Sequence, residues 1–516
     1  MLDNQIPLYT AAASQAIDVD AVQTAAQGGL GIESFELMNR AADYALACLC
    51  QRWPDAQGFS LFCGKGNNAG DGYLMAAMAL QLGMQVQIFA VVDPQVLTGN
   101  ALRAYEHCVE LGLAIEDHHA PVAPIKYSIV VDALLGTGFS PPLREEMAEA
   151  ISRINANKGD VLSLDLPSGV SADKGLCGED LNESISASVT VSLITYKVGL
   201  HTGAAIAARG DLLVTDLGVP AHIFDRHPSI PLLQWSPSRL TTAGVNTHKS
   251  RQGHVLVVGG DVGMGGAVLM AAEAAFRAGA GLVTIATRPE HRSGLLARLP
   301  EAMWVDPESE RFDLVAQGCD AAVLGPGLGR LPWGLTLLKR VLSLPCPKIL
   351  DADALYWLAV EREVKDLCAA SSEPLFITPH SAEVARLLDC PVFDVESDRM
   401  AATGLLAERY HCFGVLKGPG SVLFAGQDLA ICAQGNAGMA TAGMGDVLSG
   451  IAGALVAEVA AKGETDLAAL NHAFQSAVLW HSAAADLAAI ELGQRSLMAT
   501  DVISFLSKSG QNFLAR

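Results

Sequence analysis

The chain has no CxxC pair among its eleven cysteines, and only Cys48 and Cys50 stand close together. That excludes a zinc ribbon and a disulfide framework, and predicts reduced thiols packed as small hydrophobes. It lacks any polybasic run: Lys and Arg number 34 against 55 Asp and Glu, for a net charge of −21. Such a field repels nucleic acid and anionic membrane surfaces, so neither is an expected partner. The opening MLDNQIPLYT carries an acid where a signal peptide would be basic, and no continuous apolar segment reads as long enough to span a bilayer. A cytoplasmic location is expected. There is no low-complexity segment, no GxSxG hydrolase elbow and no histidine spacing suited to a metal.

What is present is a 516-residue chain, half hydrophobic and 17% charged, able to bury sizeable cores. Short β-branched runs alternate with Ala/Leu-rich stretches of helical period, the pattern of parallel sheets covered by helices. FSLFCGKG, YSIVVDALLG and DVLSLDLPSG read as strands ending in glycine-marked loops in the first half; HVLVVGGD, AAVLGPG, PKILDADAL, EPLFITPH and FGVLKGPG do so in the second. Ligands of such sheets bind at the strands' carboxyl ends, so these loops are where chemistry is expected. Residues 217–246 hold four prolines and no clear period, and place a domain boundary there.

In the first half, CGKGNNAGDG follows a strand and enters a helix. Asn67, Asn68 and Asp71 are interleaved with glycines, so amide and carboxylate oxygens on a tight turn can ligate a hard cation or hold a polyol. An Asx-rich helix cap is the plainer reading of the same residues. Asp132 and Asp165 each end a strand on the crevice side, with Gly136, Gly138 and Ser168 beyond them; each acid alone could equally be a loop tether.

In the second half, GNAGMATAGMGDVLSG sets five glycines in sixteen positions before an apolar helix. Backbone N–H groups so arranged are aimed at phosphate, yet Asp446 stands at the helix start, where a carboxylate repels an anion. The conflict resolves if Asp446 does not bind phosphate but takes a proton from a hydroxyl that attacks phosphorus. Simple helix capping is the alternative. Lys417, beside Gly418 and Gly420 in LKGPGS, is suited to a diphosphate.

GNNAGDG, VDALLGTG and LDLPSG, with LYTAAASQAID and ELMNRAA earlier, resemble the YjeF N-terminal family, the NAD(P)H-hydrate epimerases. THKSRQGHVLVVGGD, LGPGLGR, LDADAL, ITPHSAEVARLL, LKGPGS and GNAGMATAGMGDVLSG resemble the ADP-dependent NAD(P)H-hydrate dehydratases of the ribokinase-like superfamily, whose base lies in a GxGD loop. The resemblance implies an α/β chain of two domains: a Rossmann-like epimerase over residues 1–220, a linker over 221–245 and a ribokinase-like dehydratase over 246–516. It implies that Asn67, Asn68, Ala69, Gly70, Asp71, Gly136, Thr137, Gly138, Phe139, Ser140, Pro141 and Pro142 line the hydrated cofactor, with Asp165 against the reacting ring as proton shuttle. Potassium is implied at Asn68, Asp132 and Ser168. In the dehydratase, Ala267, Gly327, His380 and the catalytic Asp446 would face the hydrate, and Lys417, Gly418, Pro419, Gly420, Ser421 and Gly445 the nucleotide, with ADP as co-substrate and Mg2+ as its metal. Ala69 stands where the epimerase family usually has a third glycine. Small-molecule substrates and a homo-oligomer are the expected partners. A vitamin-precursor kinase fused to a nucleotide-sensing domain stays open as the second reading.

Overall fold

The computed structural model describes residues 5–117, 123–175, 183–240, 248–464 and 466–511. Residues 241–245 of the expected linker, the first four residues of the opening decapeptide, Thr247 and Cys177 lie outside them. Two compact units result, Ile6–Pro231 and a second formed essentially from Leu232 onward.

The first unit is built on a sheet of seven strands in the order Ile115–Asp117, Gln85–Ala90, Gly58–Cys63, Ile129–Ala133, Asp160–Leu164, Val189–Leu193 and Asp211–Thr215, every pair parallel. Strand order reverses between Gly58–Cys63 and Ile129–Ala133, the switch point of a doubly wound, Rossmann-like sheet. Both of these strands are buried along their whole length, as expected of strands covered on two faces. Helices Ser34–Arg52 and Asn67–Gln81 bury Leu37, Ala41, Leu74 and Ala77 against one face, and helix Glu145–Ala156 packs Met147, Ile151 and Ile154 with Phe62, Phe89 and Val130 on another.

In the second unit the sheet runs Met303–Val305, Leu282–Ala286, His254–Val258, Ala321–Leu324, Lys348–Leu350, Leu375–Ile377, Phe413–Leu416, Val422–Ala425, Asp428–Cys432. It is parallel up to Phe413–Leu416 and then closes with an antiparallel hairpin across Gly426. All eight loop-ending runs read from the sequence are strands. Helix Met444–Ala461 lies on this sheet because its glycines allow it: a Cβ on Gly453 would stand 2.5 Å from Val323, and one on Gly450 2.1 Å from the carbonyl oxygen of Ala271 in helix Gly265–Arg277.

Two expectations need correction. Helix Met444–Ala461 is long and apolar enough by composition to cross a membrane, but 67% of that stretch is buried in the unit, as in a core helix. The proline-rich stretch read as linker carries a short helix, Ala221–Phe224, and a strand, Ile230–Leu233. Leu232 and Leu233, both buried, pair in parallel with Ile431 and Cys432 just after Pro231, so the missing proline donor costs the ladder nothing at the paired positions.

Candidate active sites

The first site lies at the carboxyl ends of the central strands of the Ile6–Pro231 unit. Strand Gly58–Cys63 ends in Gly64, where a Cβ would come within 2.0 Å of the Leu134 carbonyl oxygen, so only glycine lets the two strand-end loops touch. The helix begins at Asn67, which makes Asn67, Asn68, Ala69, Gly70 and Asp71 its first turns and not a free loop. Ala69 is buried in ordinary helical backbone, so the methyl group fits where a glycine was expected. Gly136 is required by proximity: its Cβ would meet the Asp165 carboxylate at 3.1 Å and Asn68 at 3.3 Å.

Asp132 is fully buried at its strand's end, and its carboxylate accepts bonds from the Ser163 hydroxyl (2.9 Å), the Ser168 hydroxyl (2.6 Å), the Ser168 amide (2.9 Å) and the Leu134 amide (3.2 Å). It therefore ties the LDLPSG loop to its neighbour. Burial still pushes its carboxyl up despite those bonds. Asn68 donates through Nδ2 to the Leu135 carbonyl (2.8 Å), while its Oδ1 is buried without a hydrogen-bond partner. An orphaned amide oxygen beside a buried acid and a serine is a donor set that fits a hard monovalent cation.

Asp165 follows strand Asp160–Leu164 with φ +65°, and its carboxylate is engaged at both oxygens. Oδ2 accepts from the Thr137 amide (2.9 Å) and hydroxyl (2.6 Å); Oδ1 is ion-paired with Lys197 Nζ at 2.5 Å. Burial works to raise its pKa, but Lys197 and Thr137 outweigh it and hold the group below the usual carboxylate range. Asp71 is the opposite case. Burial, with the like charges of Asp165 and Asp18, pushes it well above its ordinary value against the pull of Lys197. The two carboxyls are pushed in opposite directions, the pattern that acid–base sites use. Lys197, fully buried and also bonded to the Ser192 hydroxyl (3.1 Å) and the Leu193 carbonyl (2.5 Å), has no counterpart among the residues singled out from the sequence.

The second site lies where strands of the later unit end. Helix Met444–Ala461 starts after Gly443, at φ +90°, and Asp446 is partly exposed in its first turn. Burial, reinforced by Asp351 and opposed by Lys417, pushes the Asp446 carboxyl up to about 7. Beneath that turn, Lys417 Nζ is ion-paired with Asp351 at 3.0 Å and stands 4.0 Å from Glu383. A Cβ on Gly445 would lie 3.0 Å from Asp351 Oδ2 and 3.3 Å from Lys417 Nζ, so the helix end closes directly on this pair. The Lys417 ammonium, expected at a diphosphate, is thus already committed to carboxylates. Burial works to lower its pKa, and Asp351 and Glu383 raise it beyond its ordinary value.

His380 caps helix Ser381–Leu388: its Nδ1 accepts from the Ala382 amide (3.2 Å), its own amide donates to Glu383 Oε2 (2.8 Å), and its ring remains half exposed. Gly327 (φ +57°) and Ala267 meet, a Cβ on the former falling 3.3 Å from that of the latter. Gly418, Gly420 and Ser421 form the turn after Lys417, with the Ser421 hydroxyl donating to the Gly418 carbonyl (3.0 Å). Asp353 braces Gly329 and Arg330 (3.0 and 3.1 Å). Two residues outside the sequence reading hold these loops. Arg399, fully buried, donates to the Leu416 and Lys417 carbonyls (both 3.3 Å) while paired with Glu396. Asp486 accepts from the Gly435 amide (3.0 Å) and from Asn436 Nδ2 (2.8 Å), anchoring the start of the last glycine-rich loop.

Acids with pKa values driven apart, buried cations and glycine-framed loops at two sets of strand ends define an α/β enzyme with two candidate active sites. The family described as YjeF-related protein N-terminus matches residues 34–199, and that of NAD(P)H-hydrate dehydratase matches residues 255–508. The bifunctional NAD(P)H-hydrate repair enzyme Nnr of Coxiella burnetii is 40% identical over 92% of this chain and 95% of its own length. Its counterparts in Vibrio cholerae and Escherichia coli are 38% and 37% identical, over 92% and 93% of this chain and 93% and 90% of theirs. Among solved structures, an ADP/ATP-dependent NAD(P)H-hydrate dehydratase from Bacillus subtilis, co-crystallised with ATP and Mg2+, is 26% identical over 54% of this chain and 97% of its own, with a TM-score of 0.46. The chain belongs to the family of bifunctional NAD(P)H-hydrate repair enzymes. Relatives that carry both halves under one such name disfavour the kinase-plus-sensor reading.

Proposed function

We propose that residues 1–220 epimerise the R and S hydrates of NADH and NADPH, and that residues 246–516 dehydrate the S form at the expense of ADP, with 221–245 joining them. The observation that carries the first half is the buried pair of Asp165 and Lys197. When hydroxide leaves the ring carbon, the ring nitrogen shares the resulting positive charge, and Asp165, against the reacting ring, would shuttle the proton: the Asp165–Lys197 pair supplies it to the departing oxygen and takes it back when water re-adds. Asn67 to Asp71 and Gly136 to Pro142 would frame the substrate. Potassium would be held by Asn68, Asp132 and Ser168, the unpartnered Asn68 oxygen being its best support, and when bound it supplies positive charge beside the buried Asp132.

In the second half Asp446 would accept the proton of the hydrate's hydroxyl as its oxygen attacks the terminal phosphorus of ADP. The ester so formed turns a poor leaving group into a good one, and phosphate departs with help from the ring nitrogen. Lys417 to Ser421 and Gly445 would sit by the nucleotide, whose own phosphates would carry Mg2+; Ala267, Gly327 and His380 would face the hydrate. Given its committed ammonium, Lys417 would act mainly by holding Asp351 beneath the helix end. The ten cysteines among the described residues are all free thiols, which fits a reducing, cytoplasmic compartment. A homo-oligomer is the expected assembly, which sedimentation velocity measures.

The test is repair of hydrated NADH by the purified protein with ADP, Mg2+ and K+, followed by return of nicotinamide absorbance. Asp446→Asn should lose about 10²–10⁴ in dehydration while leaving epimer exchange intact, and Asp165→Asn should do the reverse. Equal epimer exchange by wild type and Asp165→Asn, or no nucleotide-dependent return of absorbance, overturns the reading.

A further inference from the structure

Two thiols that none of these roles uses touch each other in the later unit. Cys319 stands just before strand Ala321–Leu324 and Cys346 just before its parallel neighbour Lys348–Leu350, so both lie at the amino ends of the strands, away from Asp351 and Lys417 at the carboxyl ends. Carried back two places from the pairing of Ala322 with Lys348, the register sets Cys346 opposite Asp320, beside Cys319. Their sulfurs are 3.5 Å apart, and no other two thiols among the described residues share a hydrogen bond. Adjacent strands run about 4.8 Å apart, inside the Cα separation that a disulfide spans. Closing the bond asks the sulfurs to approach by about 1.5 Å, within the reach of side-chain rotation.

The surroundings divide the roles of the two sulfurs. A hydrogen bond from Cys319 holds the Cys346 thiol below its usual range, and the Lys348 ammonium adds to this against the effect of burial. The same hydrogen bond and burial push the Cys319 thiol up. Lys348 is itself buried, with Nζ donating to the Leu344 carbonyl, so its charge is fixed close to the pair. Thiolate is the form that attacks an oxidant, which makes Cys346 the nucleophile and Cys319 the resolving thiol. Cys346 lies between Pro345 and Pro347, whose fixed φ angles keep its backbone from swinging away. Exposures of 8% for Cys319 and 3% for Cys346 restrict attack to a small oxidant.

We propose that Cys319 and Cys346 form an oxidisable dithiol, which hydrogen peroxide closes to a disulfide that pins the amino ends of two central strands of the later unit. The Cys346 thiolate attacks one peroxide oxygen and the O–O bond breaks; the hydroxide that leaves takes up the proton Cys346 had released, giving water and a sulfenic acid. The Cys319 sulfur then attacks the Cys346 sulfur, and hydroxide leaves with the Cys319 proton as a second water. Two thiols are oxidised and one peroxide is reduced to two waters. The bond closes a loop across the 27 positions between the cysteines, which restricts the unfolded chain, so stability and not turnover is the property it changes. The test exposes reduced full-length protein to hydrogen peroxide, then denatures, alkylates and digests it. A peptide pair joined through Cys319 and Cys346, lighter than the reduced pair by two hydrogens, is expected as the first cross-link. The later unit should melt about 5 °C or more higher, and dithiothreitol should reverse the shift. Cys319→Ala should leave Cys346 as a sulfenic acid that dimedone traps, and Cys346→Ala should leave both Cys319 and the melting temperature unmoved by peroxide. Both cysteines alkylated after treatment of the wild type, a first cross-link elsewhere, or a linked protein that melts no higher overturns the proposal.

Discussion

Asp446 is held by burial and by Asp351 at a pKa of about 7, which sets the sign of two pH effects. A proton acceptor works only when ionised, so kcat/KM for dehydration should climb with pH up to about 7, nearly tenfold per unit below it, and then level off. Stability runs the other way. Between the ordinary carboxyl range and about 7 the folded state keeps a proton that the unfolded chain has lost, so this group's contribution falls as pH rises through that window. A pH–rate profile of dehydration with its lower limb far from 7, or one that Asp446→Glu leaves unshifted, would count against Asp446 as the acceptor. Asp132 and Asp165 were legible in sequence because each ends a strand beside glycines, and Asp446 because it opens a helix inside a glycine-rich loop. Lys197 and Arg399 were not. Each is a single cation near apolar residues, and its role appears only when Asp165, 32 residues away, or the Leu416 carbonyl, 17 away, is brought beside it. Burial is what makes such a cation matter, since removing Lys197 would leave the buried Asp165 unpaired, a change that typically costs about 3–5 kcal/mol.

At the scale of elements, the last glycine-rich loop is positioned from both ends: its exit becomes helix Met444–Ala461, and its entry is tethered to Asp486 on helix Leu467–Leu492. Asp486→Ala removes two hydrogen bonds to a carboxylate, about 1.5–3 kcal/mol each at most and less where exposed. The loop should loosen without unfolding the unit. The expected result is a nucleotide KM raised about tenfold, a kcat changed far less, and a melting point lower by a few degrees. A kcat loss with KM unchanged would mean that Asp486 does not act through loop position. Strands ending in glycine-marked loops were legible because β-branched runs and turn residues coincide there. Ile230–Leu233 was not, because four residues that include Pro231 show no period, and its partner Asp428–Cys432 lies far along the chain, Leu232 pairing with Ile431.

For the molecule as a whole, fusing the two activities matters only through what passes between them. Epimerase chemistry yields the S hydrate, and dehydration consumes it, so a chain with one site disabled should still serve a chain with the other disabled whenever the S hydrate escapes into solvent. Each site is assembled within its own compact unit, from residues of Ile6–Pro231 in one case and of the later unit in the other. A substitution in one should therefore leave the other's geometry unaltered. Mixing Asp165→Asn with Asp446→Asn protein should restore repair of pure R hydrate, which neither variant repairs efficiently alone. The rate should rise linearly with either component until the other limits, and an added trap for free S hydrate, such as excess of a dehydratase variant that binds the hydrate but cannot turn it over, should slow the mixture and the wild type alike. If the mixture stays inactive while each variant keeps its one activity, the hydrate must be handed over within a chain, and the two halves do not work as the independent catalysts their separate sites imply.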